Sequence, residues 1–133
     1  MVTNFENETH ELTDQELNMV STVKKILELH VGKNNPVISD KIMEDALHMY
    51  QINLGTGARV RKLINYIRVT GLIPNLAASS RGYWIETDLN ELRKYVRSLR
   101  ERASAIRTVA DRVQAHIEEK VLENAGKQQT KLF

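Results

Sequence analysis

The residues best suited to chemistry lie close together in the middle of the chain. Val60, Leu63, Ile64 and Ile67 recur at the i, i+3, i+4, i+7 spacing of a helix with one buried face. Thr56, just upstream, is a natural N-cap for that helix. Stepping about 100° per residue from Val60 puts Ala58, Arg61, Lys62, Asn65 and Val69 on the opposite side, with Arg59 and Tyr66 flanking them. Arginine, lysine and tyrosine reach phosphates. Arginine also pairs with the guanine edge and asparagine with the adenine edge when a helix lies in a major groove. An ordinary solvated face would mix glutamate with lysine for solubility, and this face has no acid. Thr56, Arg59, Arg61, Lys62, Asn65 and Tyr66 are therefore the candidate contacts to double-stranded DNA, joined by Arg81 in a later loop.

The charge distribution around these residues supports a polyanionic partner. The 133-residue chain carries a net charge of only +2, yet the charges are segregated. Residues 1–45 hold nine acids and four bases, residues 46–85 hold five bases and no acid, and residues 86–133 hold ten bases and eight acids. An acid-free window around a basic helix face is the electrostatic footprint of nucleic-acid binding. The length suits one domain with an extension, and 41% hydrophobic with 27% charged residues is an ordinary globular composition. No apolar run is long enough to span a bilayer, and the start of the chain is acidic rather than basic and apolar, so a cytoplasmic protein is expected.

The elements that must position the site follow from local signals. Residues 1–12 are polar and expected to be flexible. Thr13 with Glu16 three residues on makes a capping box for a first helix that carries Leu17, Val20, Val23 or Lys24, Ile26 or Leu27, and Val31, and ends near Gly32. Val37-Ile38 is long enough only for a short strand. Ser39 or Asp40 then caps a second helix with Ile42, Met43, Ala46, Leu47 and Tyr50 on its apolar side. Gly71 closes the third helix. Residues 72–76 read as an edge strand, 77–82 as a loop with Arg81 at its tip, and Tyr83-Trp84-Ile85 as a returning strand. Thr87 or Asp88 caps a last helix expected to run to about Asn124. The expected fold is mainly α with a small β-hairpin: a winged helix-turn-helix over residues 13–87 followed by a long C-terminal helix over 88–124.

The stretch from Thr56 to Gly71, then Ser79-Ser80-Arg81-Gly82-Tyr83-Trp84-Ile85-Glu86-Thr87-Asp88 and Glu91-Leu92-Arg93-Lys94-Tyr95-Val96-Arg97-Ser98-Leu99, resembles the small winged-helix proteins common in bacteriophages and prophages. The resemblance covers about half the chain. It implies a recognition helix over residues 56–70, a wing around residues 77–82 and a trailing helix packed back on the domain. The expected activity is transcriptional regulation or a DNA-replication accessory role in a bacterial host. The connection from Met49 to Gly57 is longer than the tight turn of a standard helix-turn-helix. Winged helices also serve as protein-binding modules, so an interaction module that grips a host or replication protein is the alternative.

The last helix and the tail carry signals of their own. Leu89, Leu92, Val96, Leu99, Ala103, Ile106, Ala110, Val113 and Ile117 alternate spacings of three and four, a heptad seam. Leu99, Ile106, Val113 and Ile117 are the expected interface of a homodimer. Arg93, Arg100 and Arg107 flank the seam on one side and Tyr95, Arg102 and Val109 on the other, with no acid among them. Residues 125–133 read as a flexible tail, and Gln129-Thr130-Lys131-Leu132-Phe133 resembles the short peptide by which bacterial replication and repair proteins bind the sliding clamp. That resemblance makes Gln129, Leu132 and Phe133 candidate protein-binding residues.

Other chemistries lack their residues. The chain has no cysteine, which removes disulfides, thiolate metal sites and cysteine nucleophiles. His10, His30, His48 and His116 have no ligand spacing, Gly55-Thr56-Gly57 is too short for a phosphate loop, and no serine sits in a nucleophile elbow. Neither an enzyme nor a bound metal or cofactor is expected.

Overall fold

A computed structural model describes the backbone of residues 11–132 and the side chains of residues 11–127. It is mainly helical, with one two-stranded antiparallel hairpin and a long C-terminal helix. Contacts divide the chain between Leu92 and Arg93 into two units.

The first unit begins with α1, Asp14–Leu27. Its capping box forms as expected: the Thr13 hydroxyl accepts from the Glu16 N–H, and Glu16 Oε1 accepts from the Thr13 N–H, each at 3.1 Å. Met19, Val20, Val23, Ile26 and Leu27 are buried. Leu17, expected on the apolar face, is 45% exposed, because the buried face is centred near Val23 and takes in Met19, whereas Leu17 lies about 120° round the helix from it. The helix also stops at Leu27 rather than near Gly32. Val31 then leaves the helical path to bridge Ile85 in parallel, and Val37 bridges Tyr83 antiparallel.

Helix α2, Ser39–Tyr50, starts without a side-chain cap. Neither Ser39 nor Asp40 serves: the N-cap position falls on Ile38, and Ser39 is already inside the helix. Ile42 and Ala46 are buried, whereas Leu47 is exposed. Gln51 ends α2 in the left-handed region at φ 55°. The long connection to the next helix has a packing reason, since Leu54 within it is 1% exposed and belongs to the core. Helix α3, Gly57–Thr70, follows with Thr56 as N-cap and Gly71 as its left-handed C-cap, both as expected. Val60, Leu63, Ile64 and Ile67 are fully buried against α1 and α2.

The hairpin is shifted from its expected position. β1 is Leu76–Ser79 and β2 is Gly82–Ile85, so the first strand begins where it was expected to end. Leu76 pairs with Ile85 and Ser79 with Gly82, which leaves Ser80-Arg81 as a two-residue turn. Residues 72–75 turn instead of extending, with Ile73 buried in the core. β2 is held on both edges, by β1 on one and by Val31 and Val37 on the other.

Glu86 links the hairpin to the last helix. Its buried carboxylate accepts from Trp84 Nε1 and from the N–H groups of Thr87 and Asp88, each at 3.1 Å. Asp88 Oδ1 then accepts from the N–H groups of Asn90 and Glu91, capping α4, Leu89–Leu132. The helix continues past its expected end at Asn124, so the segment from Ala125, read as a flexible tail, is helical through Leu132. Ala125, Lys127, Gln128, Gln129, Lys131 and Leu132 are all good helix formers, which offsets about 1 kcal/mol at Gly126 and a smaller cost at Thr130. The expected flexibility of residues 1–12 falls, but for its last two residues, outside the described chain.

Candidate nucleic-acid interface

Burial of Val60, Leu63, Ile64 and Ile67 fixes the rotation of α3 and therefore which side chains it turns to solvent. Ala58, Arg61 and Val69 are exposed, and Asn65 is half-buried. The Arg61 guanidinium folds back along its own helix, 3.3 Å from where a Cβ on Gly57 would stand. That placement keeps it at the helix N-terminus, where the backbone N–H groups and the helix dipole also favour an anion.

The rest of the expected set is distributed differently. Lys62 Nζ donates to Glu16 Oε1 at 3.0 Å, and Arg59 Nε lies 3.6 Å from Glu16 Oε2. Thr56 uses its hydroxyl to accept the Arg59 N–H at 3.2 Å, which makes it a cap first. Tyr66 is half-buried and packs against the core. Arg81 is exposed in the hairpin turn, where its N–H donates to Ser79 Oγ at 3.1 Å. The structure thus gathers Arg59 and Lys62 on one carboxylate, turns Arg61 outward, and carries Arg81 on a separate element.

Glu16 is a site residue that the periodicity of α3 does not pick out. It lies 46 positions from Lys62, and its local role in the capping box accounts for it fully by spacing alone. Its side chain is 7% exposed, and its pKa is held below the ordinary 4.5, chiefly by the Thr13 backbone N–H and then by the Lys62 ammonium. The acid-free window of residues 46–85 therefore receives one carboxylate from the acidic N-terminal third. The cluster of Glu16, Arg59 and Lys62 still carries one excess positive charge. Arg68, in the last turn of α3, is half-buried and engaged.

In the second unit Leu99, Ile106, Val113 and Ile117 are 37%, 70%, 54% and 48% exposed. Ala105, Ile106, Val109 and Ala110 line a shallow apolar surface beside them. The side chains of Gln129, Leu132 and Phe133 lie outside the described residues. Among the described residues no group of three histidine or acidic side chains is placed to hold a metal ion, and no helix is long and apolar enough to cross a membrane. Comparison with protein-family profiles, with curated proteins and with solved structures finds no match to this chain.

Proposed function

We propose that the chain binds double-stranded DNA through α3, as a winged helix-turn-helix protein of the kind found in bacteriophages, and acts in transcriptional regulation or as a replication accessory. The order of elements supports the winged-helix part of this reading. A helix, a short extended segment bridged to the hairpin, two further helices and the hairpin follow one another in the first unit, with β2 tying hairpin and extended segment together. The observation that carries the DNA reading is the solvent face of α3, where Arg61 and Asn65 sit opposite a fully buried apolar face and residues 46–85 supply no acid. Affinity in such a site comes mainly from phosphate neutralisation, and sequence preference from the few side chains that reach base edges.

Fluorescence anisotropy with duplex DNA at several salt concentrations tests this. The wild type is expected to bind more weakly as salt rises. Arg61→Ala should weaken binding to all sequences and flatten the salt slope by about one, whereas Asn65→Ala should cost about 1–3 kcal/mol on the preferred sequence only. Absence of binding to any duplex at low salt overturns the proposal.

A second reading is a protein-interaction module. It is favoured by the engagement of Arg59 and Lys62 with Glu16, which lowers the charge free for phosphate, and by the exposed seam of α4. That seam also supports a homodimer, and the tail residues Gln129, Leu132 and Phe133 would serve a sliding clamp in this reading.

A further inference from the structure

The N-terminal half of α4 carries a cationic stripe distinct from both α3 and the heptad seam. Stepping about 100° per residue places Arg93, Arg97, Arg100 and Arg107 within an arc of about 80°, over roughly 21 Å of helix. Its centre lies roughly a third of a turn from the centre of the seam, so a helix packed on Leu99, Ile106 and Val113 leaves the stripe open.

Three lysines on helices have carboxylate partners within one turn: Lys24 with Glu28 at 3.2 Å, Lys41 with Asp45 at 3.1 Å, and Lys120 with Glu123 at 3.2 Å. Arg97, Arg100 and Arg107 are exposed and have no ion-pair partner among the described residues. This holds although Glu101 stands four residues after Arg97 and Asp111 four after Arg107. The choice of base also changes along the helix. Residues 93–112 hold six arginines and one lysine, whereas residues 113–133 hold three lysines and no arginine. Lysine suffices for solubility, but the planar guanidinium fork matches phosphate oxygens two at a time.

We propose that Arg97, Arg100 and Arg107, with Arg93 at their N-terminal end, form a second DNA contact surface that grips the phosphate backbone without reading sequence. Duplex DNA carries one charge per about 1.7 Å of axis, both strands counted, so a stretch as long as this ridge holds on the order of a dozen phosphates, of which those on the near side suffice for three or four arginines. An anionic membrane surface fits less well, because the neighbouring apolar stripe includes Ala103 and Ala110 in place of the aromatic and leucine side chains that anchor interfacial helices. The proposal shares the DNA partner with the preceding reading but does not depend on α3.

The test is the salt dependence of full-length protein binding to a duplex of arbitrary sequence. The triple variant R97Q/R100Q/R107Q should lower the slope of log affinity against log salt by about two to three, and lower affinity at least about tenfold on every sequence alike. Glutamine keeps helix propensity, and R100Q alone should lower the slope by about one if the triple variant fails to fold. An unchanged slope in both variants overturns the proposal, as does wild-type binding to phosphatidylserine vesicles at a salt concentration where duplex is not bound. Arg61→Ala and Asn65→Ala separate the two surfaces. If neither alters binding while R97Q/R100Q/R107Q does, α3 is not an interface and the ridge stands; the reverse result removes the ridge alone.

Discussion

Glu16 divides one carboxylate among three donors: Oε1 accepts from the Thr13 N–H and from Lys62 Nζ, and Oε2 lies beside Arg59 Nε. Glu16→Gln keeps an N3 side chain that can reach the Thr13 N–H, and it removes the charge that holds the two cations. Arg59 and Lys62 are about one-third exposed, so they rehydrate rather than being stranded. The expected cost in stability is therefore only about 1–2 kcal/mol, below that of breaking a fully buried pair. Duplex affinity should rise several-fold and the salt slope should steepen by up to about two as the freed cations engage phosphates. The pH dependence has a definite sign. Because folding lowers the Glu16 pKa, its stabilisation is complete above the ordinary value of 4.5 and is lost as pH falls through the lower folded-state value. Denaturant titrations over the acid range should show a shallower loss of stability in the variant than in the wild type. Equal duplex affinity of the two proteins would mean that Arg59 and Lys62 contact no DNA.

At the level of elements, the hairpin owes its position to a close backbone approach at Gly82. This residue sits at φ +125°, and a Cβ there would stand 2.5 Å from the Val37 carbonyl oxygen. Tyr83 and Val37 exchange two backbone hydrogen bonds of 2.8 Å at that point. Gly82→Ala should force the strand off Val37 and cost about 2 kcal/mol or more, seen as a fall in Tm of about 10 °C by thermal circular dichroism. An unchanged Tm would show that the Val37 bridge adds nothing to the hairpin. Features legible in the sequence were those whose cause is local: the Thr13 box, the buried face of α3 and the Gly71 cap each depend on residues within one or two turns. Those that were not legible depend on distant partners. Val31 leaves the expected first helix because Ile85 offers it a bridge, β1 takes its register from Gly82, and Leu54 lengthens a connection because the core has room for it. The candidate site divided along the same line. Arg61 could be placed outward from periodicity alone, whereas the capture of Arg59 and Lys62 by Glu16 required the packing of α1 on α3.

For the whole molecule, the question is how a chain with Leu99, Ile106, Val113 and Ile117 exposed along one helix behaves in solution. Pairing two copies along this seam buries side chains worth roughly 1.5–3 kcal/mol each when fully removed from water. Under the proposed DNA-binding function, pairing would also make that binding bivalent and favour a partly palindromic target. Ile106→Glu, at the most exposed of the four positions, should leave a monomer in light scattering and weaken duplex binding by ten-fold or more through lost bivalency. The first unit, which ends at Leu92, should keep its thermal transition. Salt separates the two associations. Arg93, Arg100, Arg107 and Arg102 flank the seam without acids among them, so pairing sets like charges near one another and screening should tighten the dimer. DNA binding should weaken over the same range, because rising salt reduces the gain from counterion release. Light scattering and anisotropy across one salt series should therefore move in opposite directions. A monomer mass for the wild type at tens of micromolar and high salt would remove the dimer, and with it the palindrome.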